Sequence, residues 1–176
     1  ALPISSKDYT FYNIESMGRG KENSRLLVLD KILTDPETVV VASVEALLTY
    51  TAQKDKFREA VIELVSGSEI STDDFTKSLV EMGYKREEMI EGVGQFSLRG
   101  GILDVFPPNC ENPVRIEFWG DEVDSIREFE VESQRTIENI DSVRIIPATE
   151  ALYTPKRRDE IILELERRLE SAKKSN

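Results

Sequence analysis

The sequence predicts a mixed α/β protein whose opening third alternates strands and helices and whose middle turns into a β-rich, antiparallel module. Two observations predict this class. Before residue 60, strand-like and helix-like segments follow one another in turn, the rhythm of an α/β sheet. From Gly94 onward, short strand candidates succeed one another at close spacing, separated by Gly-Gly, Pro-Pro-Asn and Gly-Asp, all of them turn or bulge signals.

The elements follow in order. Residues 9–12 form an aromatic strand candidate, residues 24–33 read as helical, and residues 38–42, Thr-Val-Val-Val-Ala, read as a buried strand. Ser43 directly after them is placed to cap a short helix at the strand's carboxyl end, a point where open α/β sheets often bind ligands. Residues 60–65 read as a strand. Ser71-Thr72-Asp73-Asp74 opens an amphipathic helix through Met82, with a capping serine and an acidic first turn that suits the helix dipole. Residues 95–98, 101–106, 114–119 and 122–131 make an antiparallel meander, and a further strand at 142–146 ends at Pro147. Residues 157–171 form a charged helix with Ile161, Leu165 and Leu169 at four-residue spacing, a stripe narrow enough to call for a neighbour outside this chain. The opening Ala1-Leu2-Pro3, without an initiator methionine, suggests an excised piece.

Composition removes several classes of function. Of 176 residues, 34 are acidic and 23 basic, for a formal charge of −11, so the chain as a whole does not attract a polyanion. Arg157-Arg158 is the densest basic pair, and Asp159-Glu160 follows it at once. With one cysteine and no histidine, there is no disulfide framework, no paired zinc ligand, and neither the commonest metal ligand nor the commonest general base. Cys110, between Pro108 and Pro113, reads as a bland turn residue, and a reducing cytoplasm is the expected setting. No apolar run approaches bilayer-spanning length, so no membrane association is expected.

Nor do the obvious motifs carry catalysis. Gly18-Arg19-Gly20-Lys21 suggests a phosphate loop, but Glu15 stands where that loop needs glycine and Glu22 where it needs Ser or Thr; a solvated turn is the better account. The acid pairs Asp73-Asp74, Glu87-Glu88 and Asp121-Glu122 are what a chain this acidic places on solvated faces. No catalytic residue, cofactor or metal is assigned.

The informative stretch is Val114-Arg115-Ile116-Glu117-Phe118-Trp119. Strand alternation puts Val114, Ile116 and Phe118 on the core face and Arg115, Glu117 and Trp119 on the other. Phe96 and Leu98 alternate with Ser97 and Arg99, so Arg99 joins the polar side, although Gly100-Gly101 could bulge and shift the phase beyond it. Two readings of this face stand open. Trp and Arg are residues of interface hot spots; alternatively Arg99 and Arg115 make cross-strand ion pairs, with Glu117 as a partner, and Trp119 caps the edge of the core.

The string Gly92-Val93-Gly94-Gln95-Phe96-Ser97-Leu98-Arg99-Gly100-Gly101-Ile102-Leu103-Asp104-Val105-Phe106-Pro107-Pro108 is followed by Pro113-Val114-Arg115-Ile116-Glu117-Phe118-Trp119-Gly120-Asp121-Glu122-Val123-Asp124-Ser125-Ile126-Arg127. Together they closely resemble the amino-terminal region of bacterial transcription-repair coupling factors. Val39 to Leu48 and Ser133-Gln134-Arg135-Thr136 support the likeness, which runs from about Tyr9 to Ala148. UvrB, the excision-repair helicase subunit, shares the Arg-Gly, Phe-Pro and Arg-Ile-Glu-Phe pattern. The present sequence departs from UvrB in having no tyrosine-rich hairpin between the α/β opening and the module.

The resemblance implies a degenerate UvrB-like α/β domain without a working phosphate loop, interrupted by a β-rich module that docks on UvrA. On that basis residues 1–60 are a partial α/β domain, 61–147 the inserted module, and 148–176 the return to the α/β domain with its charged helix. The resemblance also implies the contacts: the arginine of the Arg-Gly-Gly turn, here Arg99; the arginine opening the next strand, here Arg115; and that strand's second aromatic, here Trp119 where phenylalanine is usual, so its packing against the partner is open. RNA polymerase and DNA would be engaged only through parts of the parent protein outside this chain, as would ATP hydrolysis. The alternative implied by the UvrB kinship is a piece of an active helicase subunit with residual nucleotide or DNA handling. Because a ligand that binds only the native state raises its melting temperature, a thermal scan with MgATP at roughly millimolar concentration discriminates the two. No upward shift is expected.

Overall fold

The computed structural model describes residues 1–6, 15–152 and 155–174, the side chains at 15–19, 21, 155–158 and 174 excepted. The strand candidate at 9–12 lies outside the described residues. Among the described residues, helices are mixed with three sheets: a parallel pair, an antiparallel pair and a six-stranded sheet.

The first helix, α1 (Glu15–Thr34), extends well ahead of its expected start and includes Gly18-Arg19-Gly20-Lys21, so the expected solvated turn is corrected to helix. Two glycines cost a helix about 1 kcal/mol each. The packing of the buried Leu26, with Leu29 and Leu33, in a cluster with Phe57 and Ile146 offsets that cost. The helix stops where Asp35 precedes Pro36, since a residue before proline is pushed out of the α region.

Beside it, β1 (Leu2–Ile4) pairs in parallel with β2 (Val40–Ala42). The expected buried strand at 38–42 is corrected in part: the strand is shorter, and Val39 just before it and Val41 within it are well exposed, the described part of this sheet being a pair of strands. Ser43 does cap α2 (Val44–Leu48), its Oγ accepting from the Ala46 N–H at 3.2 Å. The strand expected at 60–65 starts two residues later, because α3 (Lys54–Ala60) occupies Ala60; what remains is β3 (Ile62–Val65). Phe57 anchors α3 in a small cluster with Leu26 and Ile146.

The helix expected from Ser71 forms as α4 (Thr72–Glu81), capped by Ser71, closed by Met82, and burying Phe75 and Leu79. Gly83 follows at φ +87°, and a Cβ there would lie 2.4 Å from the Thr149 side chain, so the turn needs glycine twice over. The chain then builds the large sheet in the order β4 (Lys85–Arg86), β5 (Gln95–Arg99), β6 (Ile102–Val105), β7 (Val114–Trp119), β8 (Glu122–Phe129) and β9 (Thr136–Asn139). β5 to β9 form the antiparallel meander, while β4 joins the edge in parallel with β5. β10 (Ser142–Ile145) does not extend the meander; it pairs antiparallel with β3.

One face of the large sheet is the main core. Phe96, Leu103, Val105, Val114, Ile116, Phe118, Val123 and Ile126 pack with Phe75 and Leu79 of α4 and with Leu64, Val143 and Ile145 of the β3–β10 pair. The Phe75 and Phe118 rings meet at 6.3 Å between centroids, tilted by 55°, an edge-biased geometry that aromatic pairs favour. Tyr84 is buried at the margin and its hydroxyl donates to the Ile146 carbonyl at 2.7 Å. Burial pushes its pKa well above the usual phenol value.

Charged contacts tie α1 to the end of the β-rich part. Arg25 and Glu150, both buried, pair at 2.6 Å, and Arg144 of β10 reaches Asp30 of α1 at 2.6 Å. At the far end of the described chain α5 (Pro155–Lys174) leaves Ile162, Leu165 and Leu169 largely exposed.

This uneven burial predicts uneven opening. Strands with few buried neighbours open at lower free energy than core strands. Amide hydrogen exchange is therefore expected to be faster across Val40–Ala42 than across Val114–Trp119, and the reverse order would contradict the burial pattern.

Candidate protein-binding face

The face of the large sheet turned away from the core is where the singled-out residues converge. Along β7 the pleat alternates as expected: Val114, Ile116 and Phe118 are buried, Arg115 and Glu117 are half-buried, and Trp119 is 83% exposed. The register irregularity falls between Glu117 and Phe118, not at Gly100-Gly101. Those glycines make a regular hairpin with Arg99 opposite Ile102, and Gly101 is required by close approach, since a Cβ would lie 2.8 Å from the Phe118 carbonyl oxygen. Phase is thus preserved across the hairpin, and Arg99, Asp104 and Arg115 share one face.

Asp104 organises that face. It lies opposite Ser97 on one side and Arg115 on the other, and is only 1% exposed. Its Oδ1 accepts from Arg115 Nε at 2.7 Å, and its Oδ2 accepts from Arg115 Nη2 and from Arg99 Nη2, each at 2.9 Å. Arg115 is therefore held in a two-point fork, the geometry that makes guanidinium–carboxylate pairs strong. Its Nη2 also donates to Gln134 Oε1 at 2.9 Å, and its guanidinium carbon lies 4.3 Å from the centroid of the buried Phe129 ring. The Asp104 hydrogen bonds, opposed in part by burial and aided by the carboxylate's charge, raise the Arg115 pKa.

A second ion pair lies next to this cluster on the face. Arg127 Nη2 donates to Glu117, whose other oxygen accepts from the Ser125 hydroxyl at 3.1 Å. Gln134 holds a left-handed backbone at φ +58° in the turn after β8, and its amide donates to the Val131 carbonyl at 2.8 Å. One carboxylate for two guanidinium groups leaves a net positive charge at Arg99 and Arg115, on a chain whose total charge is −11. Donors remain available there. Arg115 engages Nε and Nη2 and leaves Nη1 unengaged, while Arg99, whose side chain is 51% exposed, engages only Nη2. A concavity of about 630 Å³ adjoins Arg99, lined also by Arg86, Glu87, Glu88 and Ser97.

The structure thus brings all three singled-out residues to one face, but not as equals. Arg99 and Trp119 project. Arg115, 16% exposed, is set into the sheet surface. The cross-strand ion pairs do form, with Asp104 as the acceptor and not Glu117, which turns to Arg127. Asp104 was not singled out in the sequence. The available signal was an aspartate flanked by Leu103 and Val105 in a strand candidate, a charge on the polar face facing a neighbour that carries arginines.

Elsewhere, a cleft of about 620 Å³ opens between α3 and α4, lined by Tyr50, Lys56, Glu59, Glu81, Met82 and Leu152, a mixed surface without convergent reactive groups. Cys110 is held largely out of water, and burial, with Glu128 nearby, pushes its thiol up to about 11, so it is no nucleophile at neutral pH. Among the described residues no cluster of three or more acidic or cysteine side chains is arranged to hold a metal ion. No helix among them is long and apolar enough to cross a membrane.

Comparison with known proteins bears on the same residues. The family model of the UvrB interaction domain matches residues 62–150, a span that contains the whole face. The transcription-repair-coupling factor of Bacillus subtilis (strain 168) is 39% identical over 132 residues, 75% of this chain and 11% of that protein. Those of Staphylococcus aureus (strain MRSA252) and Staphylococcus epidermidis are 35% identical over 150 residues, 85% of this chain and 12% of theirs. The chain thus spans only about an eighth to a ninth of the length of these relatives.

The differing burial of the three side chains predicts differing stability effects. Arg115→Ala strips a buried carboxylate of its fork and uncovers Phe129, and is expected to cost about 2–3 kcal/mol of unfolding free energy. Arg99→Ala is expected to cost about 1 kcal/mol or less, and Trp119→Ala about 0.5 kcal/mol or less, as for other exposed groups. Chemical denaturation of the three variants checks the order.

Proposed function

The chain belongs to the UvrB interaction domain family, in the form carried by transcription-repair-coupling factors, and from that premise we propose that its outward sheet face docks on UvrA. In this reading residues 61–147 are the docking module, while residues 1–60 and 148–176 are parts of a UvrB-like α/β domain. The observation that carries the reading is the union on one face of an 83% exposed tryptophan with two guanidinium groups that keep unengaged donors. An indole left in water contributes nothing to the fold and much to an interface, and tryptophan and arginine are the residues on which binding energy concentrates.

The chemistry of the docking follows from the donors. Arg99 and the Nη1 of Arg115 offer N–H groups to carboxylate or carbonyl oxygens of UvrA, with Trp119 supplying apolar contact beside them. Around this contact the longer protein would remain bound to stalled RNA polymerase through its other regions, translocate on DNA by ATP hydrolysis there, and hand the lesion to the repair proteins that UvrA brings. This fragment's part in that sequence is adhesion, with no catalytic step of its own.

Truncating a desolvated, hydrogen-bonded charge typically costs an interface about 2–5 kcal/mol. Arg99→Ala and Trp119→Ala are therefore each expected to weaken UvrA binding at least about tenfold, on the order of 1.4 kcal/mol, with little change in unfolding stability. Isothermal titration of UvrA with the folded variants checks this. Unchanged affinity in an Arg99→Ala, Trp119→Ala double variant would refute the assignment of the face.

A further inference from the structure

We propose that Asp104 is a positioning residue for docking: its buried carboxylate fixes the planes of Arg115 and Arg99 so that their unengaged N–H donors point outward. The inference rests on the UvrA reading above and adds a residue and a division of labour to it. Asp104 itself is 1% exposed, so a partner laid on the sheet meets the guanidinium groups and not the carboxylate. Every hydrogen bond recorded for the Asp104 carboxylate comes from those two arginines, at 2.7 Å and 2.9 Å from Arg115 and 2.9 Å from Arg99.

The geometry matters because of what an unrestrained arginine does. A free guanidinium on a flexible stem must be immobilised when a partner binds, and that lost freedom subtracts from affinity. In the sheet, the Asp104 fork, the Gln134 oxygen and the Phe129 ring fix Arg115 before any partner arrives. Asp104 also sets the charge of the contact. By neutralising one of two arginines it leaves one positive charge within the three-residue cluster, beside the Glu87 and Glu88 carboxylates that line the adjoining concavity, so the complementary surface is one acidic side chain with flanking carbonyls and not a polyanion. Stability alone is a poor account of the carboxylate, since a buried ion pair in place of well-packed apolar groups is often no more stable.

The test is a thermodynamic cycle on UvrA affinity, read in folded protein. Asp104→Asn keeps the shape, removes the charge and turns a donor toward the guanidinium groups; it is expected to weaken binding about tenfold or more. In an Arg99→Ala, Arg115→Ala background the same substitution is expected to change affinity by less than about twofold, because residues acting through one another are non-additive. A substitution that merely loosened the fold would instead subtract equally in both backgrounds. Full affinity in Asp104→Asn, or an additive loss in the triple variant, would overturn the proposal while leaving the docking face intact. A wild-type fragment that does not bind UvrA would overturn the docking reading itself, and the proposal with it. Should Asp104→Asn fail to fold, the Nε–H resonance of Arg115 in the wild-type protein decides. Slow solvent exchange and restricted motion of that group support the proposal; fast exchange and free side-chain motion overturn it.

Discussion

Every side chain of β7 is committed by the pleat of the sheet. Val114, Ile116 and Phe118 enter the core, so Arg115, Glu117 and Trp119 cannot. A slip of one residue would drive a guanidinium and a carboxylate into the apolar cluster and expose Ile116 and Phe118, so the core holds the register and the register holds the outward face. The hairpin at Gly100-Gly101 transmits that register to β5 and β6, which is how Arg99 and Asp104 arrive beside Arg115 from distant points of the strand path. The face proposed for docking is in this sense the reverse side of the hydrophobic core.

Two ionic arrangements in the fold have different physical roles. Arg25 and Glu150 lie fully buried at 2.6 Å and join α1 to the segment after β10, where the loss of either partner would strand a charge out of water. Asp104, Arg99 and Arg115 form a graded arrangement, with the carboxylate at the bottom, one guanidinium at the sheet surface and the other half in solvent. Such a gradient offers oriented donors outward while keeping the acceptor below the surface. Glu117 and Arg127 next to it pair with each other, although the buried Nε of Arg127 has no hydrogen-bond partner.

Much of this was legible in the sequence where a physical rule acts locally. The alternation of β7, the caps at Ser43 and Ser71 and the hairpin turns all follow from short-range chemistry. What was not legible depended on contacts distant in the chain. Gly18 to Lys21 reads as a turn until packing of the same helix against Phe57 and Ile146 is known. β4 is too short to show a period, and β9, exposed at every residue, has no apolar alternation to show. Asp104 escaped because its role is defined by a cross-strand partner, and the register across two connections had to be known before that partner could be named. The three residues proposed for docking came from a family likeness as well as from the pleat; the pleat alone left the interface and the internal ion pair as equal alternatives, and the structure makes clear that Arg115 takes part in the ion pair while Trp119 does not cap the core.

The claim that this face docks on UvrA is most directly tested by hydroxyl-radical footprinting of the fragment with and without UvrA. Trp119, 83% exposed and carrying a reactive indole, reports on the face, and Tyr50, 61% exposed beside the α3–α4 cleft, serves as the internal control. The account predicts that saturating UvrA protects Trp119 strongly and leaves the oxidation of Tyr50 unchanged. Oxidation of Trp119 at the same rate in free and UvrA-bound fragment would contradict it.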